Sequence, residues 1–315
     1  MTDPARPVVL CAGVTYRDLV MSGLDRLPAL GEERYATSFV ETWGGVANSA
    51  RMLASLGADC RLAAPLGDDP SSAQCRAALE GWGIDLTPSR VTPGWSLPVT
   101  VSLAAGTERA MATVETPAPA LGTPDLAGVD VIVAHLALPA PDWLLSAAAA
   151  GITVVVDHGF EDHPQPELLD AVSHVTAYTP NAQEAMVLTG APTPLEAARE
   201  LSRTVPLVVV TCGGQGIIGV DARTGEEVAA PAVPISPVNT TGAGDATLAA
   251  LAWTFRWPDL PLARRLDVAA LVGALVTSRS RGTADPVRPD DLRRLASREP
   301  ARFAFLLKLL EEPLD

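Results

Sequence analysis

Short hydrophobic runs rich in valine and isoleucine alternate along the chain with alanine- and leucine-rich stretches of helical length. The runs are continuously apolar, which is typical of strands in a parallel sheet that is covered on both faces. They predict strands at residues 7–10, 60–64, 129–134, 152–156, 175–178 and 205–211. The stretches between them predict helices at residues 48–56, 71–83, 141–150, 182–188, 195–203 and 243–255. This alternation predicts an α/β fold.

Two segments break the rhythm. Residues 21–40 and 97–114 have strand-like or alternating patterns, and no helix follows either of them. We expect them to pair as a small antiparallel sheet that projects from the main body. The chain contains no internal repeat and no low-complexity linker, and 315 residues fit one large domain.

The charged residues exclude several classes of function. The formal net charge is −14, which argues against a nucleic-acid surface, because such a surface needs clustered cations. Lys308 is the only lysine, and it lies in an apolar C-terminal stretch. Walker A loops, protein kinases and Schiff-base enzymes each require a lysine in a defined context. We therefore exclude all three mechanisms.

The cysteines and the apolar stretches bear on the compartment. The four cysteines are far apart and form no Cys-x-x-Cys pair, so we interpret them as buried thiols in a reducing cytoplasm. No signal peptide is evident at the N-terminus. The longest uncharged stretch, residues 143–156, falls short of the roughly 20 residues that span a bilayer. We expect a soluble, cytoplasmic protein with no membrane partner.

One segment combines glycines, an aspartate and the start of a predicted helix, and it is the strongest candidate for a catalytic site. Gly242, Ala243 and Gly244 leave the backbone unobstructed where the helix at 243–255 begins, and Asp245 follows them. Backbone N–H groups at a helix N-terminus, together with the helix dipole, form an anion site. An aspartate beside such a site is suited to act as a general base for phosphoryl transfer. Capping of the helix is its structural alternative.

Five motifs, in order along the chain, resemble those of the ribokinase-like (PfkB) carbohydrate kinases. Residues 239–245, Asn-Thr-Thr-Gly-Ala-Gly-Asp, are similar to the family's Asp-Thr-x-Gly-Ala-Gly-Asp. The other matches are Gly13 with Asp18, the Gly-Gly…Asn…Ala…Leu-Gly…Gly-Asp-Asp pattern of residues 44–69, the Asn-x-x-Glu of residues 181–184, and the Thr-x-Gly-x-x-Gly of residues 211–216. Together the matches cover nearly the whole chain.

The resemblance implies a three-layer α/β/α sandwich with a mostly parallel central sheet and a small β-sheet lid, here formed by about residues 14–40 and 97–114. It also implies transfer of the γ-phosphoryl group of Mg-ATP to a hydroxyl of a sugar or nucleoside. Asp245 corresponds to the general base, and Gly242, Ala243 and Gly244 to the anion site. Relatives often dimerise through the lid, so the resemblance leaves a homodimer open.

The remaining family roles concern the acceptor, the nucleotide and the metal. The acceptor pocket would be lined by Asp18, Gly44, Gly45, Asn48, Arg109, Asp157 and Asn239. The nucleotide groove would be formed by Asn181, Thr211, Gly213 and Gly216, and Glu184 would hold Mg²⁺ through water. Structural roles are the alternatives: Asn48 and Asn181 are suited to cap helices, Asp18 to a turn, Glu184 to a helix dipole, and Arg109 to a solvated surface.

Departures from the family pattern leave the substrate open. Asn239 stands where most members have Asp, which puts activation by K⁺ in question and also resembles the pseudouridine-kinase branch. Ala137 stands where some ribose-specific members carry a carboxylate, which argues against free ribose. A nucleoside kinase and a non-catalytic sugar or nucleotide sensor are therefore alternatives to a sugar kinase. A metal-dependent hydrolase that uses the loop of His158 and His163 is another.

Overall fold

A computed structural model of the chain describes residues 6–105, 108–114, 117–159 and 166–311. Its strands are β1 (Val8–Ala12), β2 (Thr15–Ser22), β3 (Ser38–Gly45), β4 (Asp59–Ala63), β5 (Pro65–Leu66), β6 (Arg90–Val91), β7 (Val99–Ala105), β8 (Glu108–Val114), β9 (Val131–Leu136), β10 (Thr153–His158), β11 (Ala177–Tyr178), β12 (Leu207–Thr211), β13 (Ile217–Asp221) and β14 (Glu226–Ala230). Its helices are α1 (Val46–Ser55), α2 (Pro70–Glu80), α3 (Asp142–Ala147), α4 (Pro166–Ser173), α5 (Ala182–Thr189), α6 (Pro194–Leu201), α7 (Ala243–Thr254), α8 (Leu262–Thr277), α9 (Pro289–Ala296) and α10 (Pro300–Glu311).

The main sheet has eight strands in the order β14-β13-β12-β11-β10-β9-β1-β4. The six strands from β4 to β12 pair in parallel, and β13 and β14 add an antiparallel edge. Successive side chains of a strand point to opposite faces. In β1, for example, Val9 and Cys11 join one hydrophobic core, while Leu10 and Ala12 join the other. Continuous apolar runs are the result of this two-sided burial.

Helices cover both faces of the main sheet. One core takes buried residues from α1, α2, α7, α8, α9 and α10, and the other takes them from α3, α4, α5 and α6. Helix α7 is buried along most of its length and packs against both α1 and α8. The predicted α/β class and the three-layer sandwich with a mostly parallel sheet are confirmed. No helix of the described ranges is long and apolar enough to cross a membrane.

The small sheet differs from the prediction in its pairing. It has the order β3-β2-β7-β8, and β2 pairs with β7 in parallel, with Arg17 opposite Val99 and Met21 opposite Leu103. The expectation of an antiparallel sheet was therefore wrong for this central pair. The chain reaches β7 from β2 only after passing through the main body, so no hairpin turn imposes an antiparallel direction. That all 315 residues form one domain with this sheet as its lid stays a prediction.

Several element bounds also differ. Strand β2 begins at Thr15, inside the expected lid bounds of about 14–40 but before residue 21, where the strand-like pattern starts, and strand β3 continues to Gly45, past residue 40. Strand β11 is limited to Ala177–Tyr178, and α3 ends at Ala147 instead of residue 150. The hairpin of β13 and β14 was missed because its outer strand is short and starts with two adjacent glutamates. Helices α8, α9 and α10 were not predicted either, although their apolar positions complete one core.

The C-terminal helix can be tested as part of that core. Phe303 on α10 is fully buried, whereas Phe39 on β3 is 58% exposed. We expect Phe303→Ala to lower the free energy of unfolding by about 3–5 kcal/mol, because it removes buried surface and leaves a cavity. The matched Phe39→Ala should cost less than about 1 kcal/mol. Urea unfolding followed by circular dichroism measures both. Equal losses would contradict the placement of α10.

Candidate active site

The first turn of α7 forms the floor of the candidate site. Gly242 is the N-cap residue and has a left-handed backbone, with φ of 74° and ψ of 9°. A Cβ at this position would also lie 2.5 Å from Cγ2 of Thr283, so both conformation and space require glycine. Ala243 donates its N–H to the carbonyl of Thr240 at 3.2 Å. The first turn of a helix carries N–H groups that have no intrahelical acceptor, and these can bind an anion.

The Asp245 carboxyl group lies in this first turn and is held by two neighbours. Nδ2 of Asn48 donates to its Oδ2 at 2.8 Å, and Nε2 of His135 lies 3.4 Å from its Oδ1. The side chain keeps about 20% of its surface exposed, which leaves it accessible. Burial raises the pKa of Asp245, and His135, Asn48, Arg51 and Arg109 counteract that rise. The group is therefore a partly desolvated carboxyl with fixed orientation.

Asn48 is oriented by a buried network on α1. Its Oδ1 accepts hydrogen bonds from Nη2 of Arg51 and from Oγ1 of Thr283, both at 2.8 Å. Because the oxygen has these two donors, the amide NH₂ must face Asp245. Arg51 is buried and also donates to the carbonyls of Thr283 and Trp43. The N-cap of α1 is Gly45, so Asn48 is an interior residue and not a helix cap.

Asp18 reaches the site from β2. An added Cβ at Gly44 on the paired strand β3 would collide with its carboxyl group, so the close approach depends on glycine there. Burial and repulsion from Asp245 raise the pKa of Asp18 to about 7, while a hydrogen bond with Thr100 and the charge of Arg51 act in the opposite direction. Two carboxyl groups therefore share one poorly solvated region.

Arg109 and Asn239 meet at a cavity of about 260 Å³ between the small sheet and the loop before α7. Nη1 of Arg109, on β8, lies 3.4 Å from Oγ1 of Thr241. The Asn239 side chain holds the loop: its Nδ2 donates to the carbonyl of Ser280 at 3.1 Å, and its Oδ1 accepts from the N–H of Thr241 at 2.9 Å. The two residues thus lie on the wall of the same cavity.

The predicted nucleotide residues lie at the carboxyl ends of β11 and β12. Asn181 and Glu184 form a reciprocal capping box at the start of α5, at 2.8 and 3.0 Å, so both do serve as cap residues. Thr211 ends β12 and forms a bridge with Asn181. Gly213 and Gly216 bound the following turn, which the Cys212 N–H closes by donating to the Gly216 carbonyl at 2.8 Å.

Beside them is a cluster of ligand-type side chains. Polar atoms of Asp157, His158 and Glu184 all lie within 4.8 Å of one another. Burial, with repulsion from Glu184 and Asp245, raises the pKa of Asp157 well above its usual value. Burial also raises the pKa of Glu184 and lowers that of His158 to about 4. His163, which the sequence placed in the same loop as His158, lies outside the described residues, as do the neighbouring Glu161 and Asp162.

Comparison with known proteins identifies the family. The profile described as pfkB family carbohydrate kinase matches residues 9–289. The chain belongs to this family. Kinases of the PfkB family are phosphotransferases that act on hydroxyl groups of sugars. The predicted family, its fold and its enzyme class are thereby confirmed.

Individual PfkB relatives are distant. The chain is 29% identical to the ribokinase of Bacillus subtilis over 252 residues, which cover 76% of this chain and 83% of the relative. It is 30% identical over 240 residues to the bifunctional protein HldE of Nitrobacter hamburgensis. That match covers 66% of this chain but only about half, 47%, of HldE. The structure of Arabidopsis thaliana ribokinase with ribose and ATP has a TM-score of 0.77 at 24% identity, covering 92% of this chain and 98% of the other, which shows a shared fold.

The structure also brings in residues that sequence reasoning missed in this PfkB chain. His135 at the end of β9, Ser49 on α1 and the buried Arg51 all reach the Asp245 region. Oγ of Ser49 lies 3.2 Å from Nε2 of His135 and 3.4 Å from the carbonyl oxygen of Asp245. A polar residue next to the end of an otherwise apolar buried strand was the available signal for His135, because α/β ligand sites lie at strand carboxyl ends.

The pKa of Asp18 has a consequence for stability. When the pKa of an acid is raised in the folded state, ionisation of that acid destabilises the folded protein. For Asp18 this destabilisation is absent below about pH 4 and complete above about pH 7. We expect Asp18→Asn to stabilise the protein at pH 8 by about 2–4 kcal/mol and to have little effect at pH 4, since one pKa unit corresponds to about 1.4 kcal/mol. Urea unfolding at the two pH values measures this.

A surface carboxyl group provides the control for Asp18. The Asp59 side chain is 60% exposed, and Asp59→Asn should change stability by less than about 0.5 kcal/mol at either pH. If Asp18→Asn raised the free energy of unfolding by no more at pH 8 than at pH 4, the burial of an ionised Asp18 would be contradicted.

Proposed function

We propose that the chain transfers the γ-phosphoryl group of ATP to a hydroxyl group of a sugar or sugar-like substrate, with Asp245 as the general base. The observation that carries this proposal is the position of the Asp245 carboxyl group, which is partly exposed in the first turn of α7 and held by Asn48. A base and an anion-binding helix terminus therefore lie side by side, as attack of an alcohol on a phosphoryl group requires.

In this mechanism Asp245 accepts the proton of the acceptor hydroxyl. The deprotonated oxygen forms a bond to the γ-phosphorus, and the bond from that phosphorus to the β-phosphate oxygen breaks, which releases ADP. The N–H groups of Gly242, Gly244 and Asp245 would bind the transferring oxygens, whereas the N–H of Ala243 donates to the Thr240 carbonyl and shapes the turn. This use of backbone groups accords with a chain whose single lysine is far along α10.

The acceptor would bind between the small sheet and α1. Asp18 offers a carboxyl group to the hydroxyl groups of the acceptor, and Asn48 offers the second N–H of its amide. Gly44 leaves room for the Asp18 carboxyl group, and a Cβ at Gly45 would collide with the Val14 carbonyl. Arg109 would close the pocket from β8, and Asn239 would shape its loop. A charged side chain from the small sheet would thereby help to exclude water during transfer.

The nucleotide and its cation would lie at the ends of β10, β11 and β12. Asn181, Thr211, Gly213 and Gly216 would form the nucleotide groove. Asp157, which the sequence assigned to the acceptor pocket, lies beside Glu184. Both fit a divalent cation, because they are carboxyl groups whose pKa values are raised by burial, and for Asp157 by repulsion as well, which a cation would relieve. Mg²⁺ bound there would neutralise developing phosphate charge. Asn239 puts activation by K⁺ in question, and a lid-mediated homodimer remains a prediction.

The experiment that tests the proposal is an ADP-release assay over a panel of sugars, sugar phosphates and nucleosides. ADP release that depends on one acceptor supports a kinase, and the best acceptor separates a sugar kinase from a nucleoside kinase of the pseudouridine type. Because one unpaired hydroxyl contact changes specificity strongly, we expect a clear preference. A protein that binds members of the panel but turns over none would instead be a sensor.

Asp245→Asn tests the general base. We expect kcat to fall by about 10²–10⁴-fold, the range typical of general-base catalysis, while ATP affinity changes little. The isosteric amide keeps the shape of the site and removes the negative charge, and with it the ability to accept a proton. Steady-state kinetics with the best acceptor, together with nucleotide binding by calorimetry, measures both quantities. Turnover equal to wild type would rule out Asp245 as the base.

His135 should act as a positioning residue for Asp245. Burial keeps the pKa of His135 low, so near neutral pH the ring is uncharged and contributes an N–H beside the Asp245 carboxylate. His135→Leu removes this group, which should raise the pKa of Asp245 and move the acidic limb of the kcat/KM profile upward by about 0.5–1 pH unit. His135→Gln, which retains an N–H donor, should shift it less. Identical kcat/KM pH profiles for His135→Leu and the wild type would contradict this role.

A further inference from the structure

We propose that the phosphate acceptor is an anionic sugar, whose phosphate or carboxylate group binds in the cavity between the small sheet and the loop before α7. This inference rests on the proposed function and names the substrate class of that same site. The cavity measures about 260 Å³, and Arg109 is the one charged residue among the described residues that line it. Its size suits part of a small ligand, since pockets that hold whole drug-sized molecules measure about 300–1,000 Å³.

The Arg109 guanidinium group is available to a ligand. It forms no ion pair with any carboxyl group among the side chains that the structure describes. Its hydrogen-bonding neighbour is a hydroxyl group, Oγ1 of Thr241, at 3.4 Å from Nη1. A guanidinium group has five N–H donors and can bind a phosphate or a carboxylate through two parallel hydrogen bonds. Most of its donors are therefore left for an anion.

The rest of the described wall is neutral. Asn239 has an amide where the family pattern has a carboxylate, so no negative charge opposes Arg109 from that side. Both polar atoms of this amide are held by backbone groups. The hydroxyl groups of Ser22, Thr240 and Ser280 form no hydrogen bond with the described residues and can donate to a ligand. In a chain with a formal net charge of −14, such a wall favours an anion over a cation.

The small sheet connects this cavity with the proposed base. Asp18 on β2 pairs with Thr100 on β7, and Ala104, four residues farther along β7, pairs with Arg109 on β8. Because side chains alternate between the faces of a sheet, Asp18 and Arg109 lie on the same face, about 13 Å apart along the strand direction. The charge of Arg109 counteracts the rise in the pKa of Asp245, so its guanidinium group extends towards the base. One sugar can therefore present a hydroxyl group to Asp245 and an anionic group to Arg109.

Matched acceptors test the inference on the full chain. D-ribose, D-fructose and D-glucose are each compared with a terminal phosphate ester of the same sugar, and D-glucose also with D-gluconate. The ADP-release assay measures turnover, and calorimetry without ATP measures binding. We expect an anionic sugar to have the highest kcat/KM and to bind about tenfold more tightly than its neutral partner, or better. The phosphate and carboxylate arms separate the two kinds of anion.

Arg109→Gln removes the positive charge from the cavity. We expect the KM of the anionic acceptor to rise by about 10–100-fold, while its kcat and the Kd of its neutral partner change less than about threefold. Arg17→Gln is the matched control and should leave these values unchanged, because Arg17 lies on the opposite face of the small sheet and pairs with Glu41. Asn239→Asp adds a carboxylate to the wall and should lower the ratio of anionic to neutral kcat/KM by about tenfold.

Two results would overturn the inference. One is a wild-type chain for which no anionic sugar surpasses its neutral partner. The other is an equal loss for both members of a pair in Arg109→Gln, which would place Arg109 at the transferring phosphoryl group. If Arg109→Gln does not fold, the wild-type comparison and Asn239→Asp decide. Phosphotransfer to a neutral sugar alone would refute this inference and leave the proposed function intact. Binding of an anionic sugar that depends on Arg109, without ADP release, would refute the proposed function alone.

Discussion

Desolvation of carboxyl groups is the constraint on which the candidate site depends. Asp18, Asp157, Glu184 and Asp245 come from a strand of the small sheet, a strand of the main sheet and two helix starts, and burial raises the pKa of each. A folded chain tolerates such groups only when nearby donors or cations compensate the lost hydration. The arrangement of Asn48, Arg51 and His135 around Asp245 is that compensation. Asn48 and Arg51 lie on α1, which packs against α7, and His135 lies on β9.

The cost of these carboxyl groups explains the surroundings of the site. Arg51 stays buried, with its pKa lowered to about 10 by desolvation, yet it remains charged at neutral pH and fixes both Asn48 and Thr283. Thr283 in turn lies against the left-handed Gly242. One buried guanidinium therefore links the conformation of the anion-binding loop to the orientation of the base. Stability and catalytic geometry are supported by the same hydrogen bonds.

The sequence allowed the α/β class, most strands of the main sheet and the Gly242 to Asp245 segment to be predicted, because these features are local in the chain. The contacts around the base could not be predicted, since His135 lies 110 positions before Asp245 and its neighbours are set by sheet order. The parallel pairing of β2 with β7 was missed for the same reason. Only Asp157 and His158 of the cluster could be grouped from the sequence, because they are adjacent. Glu184 and Tyr178 come from a later helix and a later strand, and only the fold brings them close.

The small sheet is assembled from two separate stretches of the chain, β2 with β3 and β7 with β8, and the pair that joins them is parallel. Deletion of one continuous segment therefore cannot remove the whole sheet, and insertion of one continuous segment cannot have introduced it in its present form. Each stretch is also tied to the main body at both of its ends. A rigid-body rotation of this sheet would change the backbone conformation of all these connections at once. The connectivity therefore favours a small rotation of the whole sheet over a large movement about a single hinge.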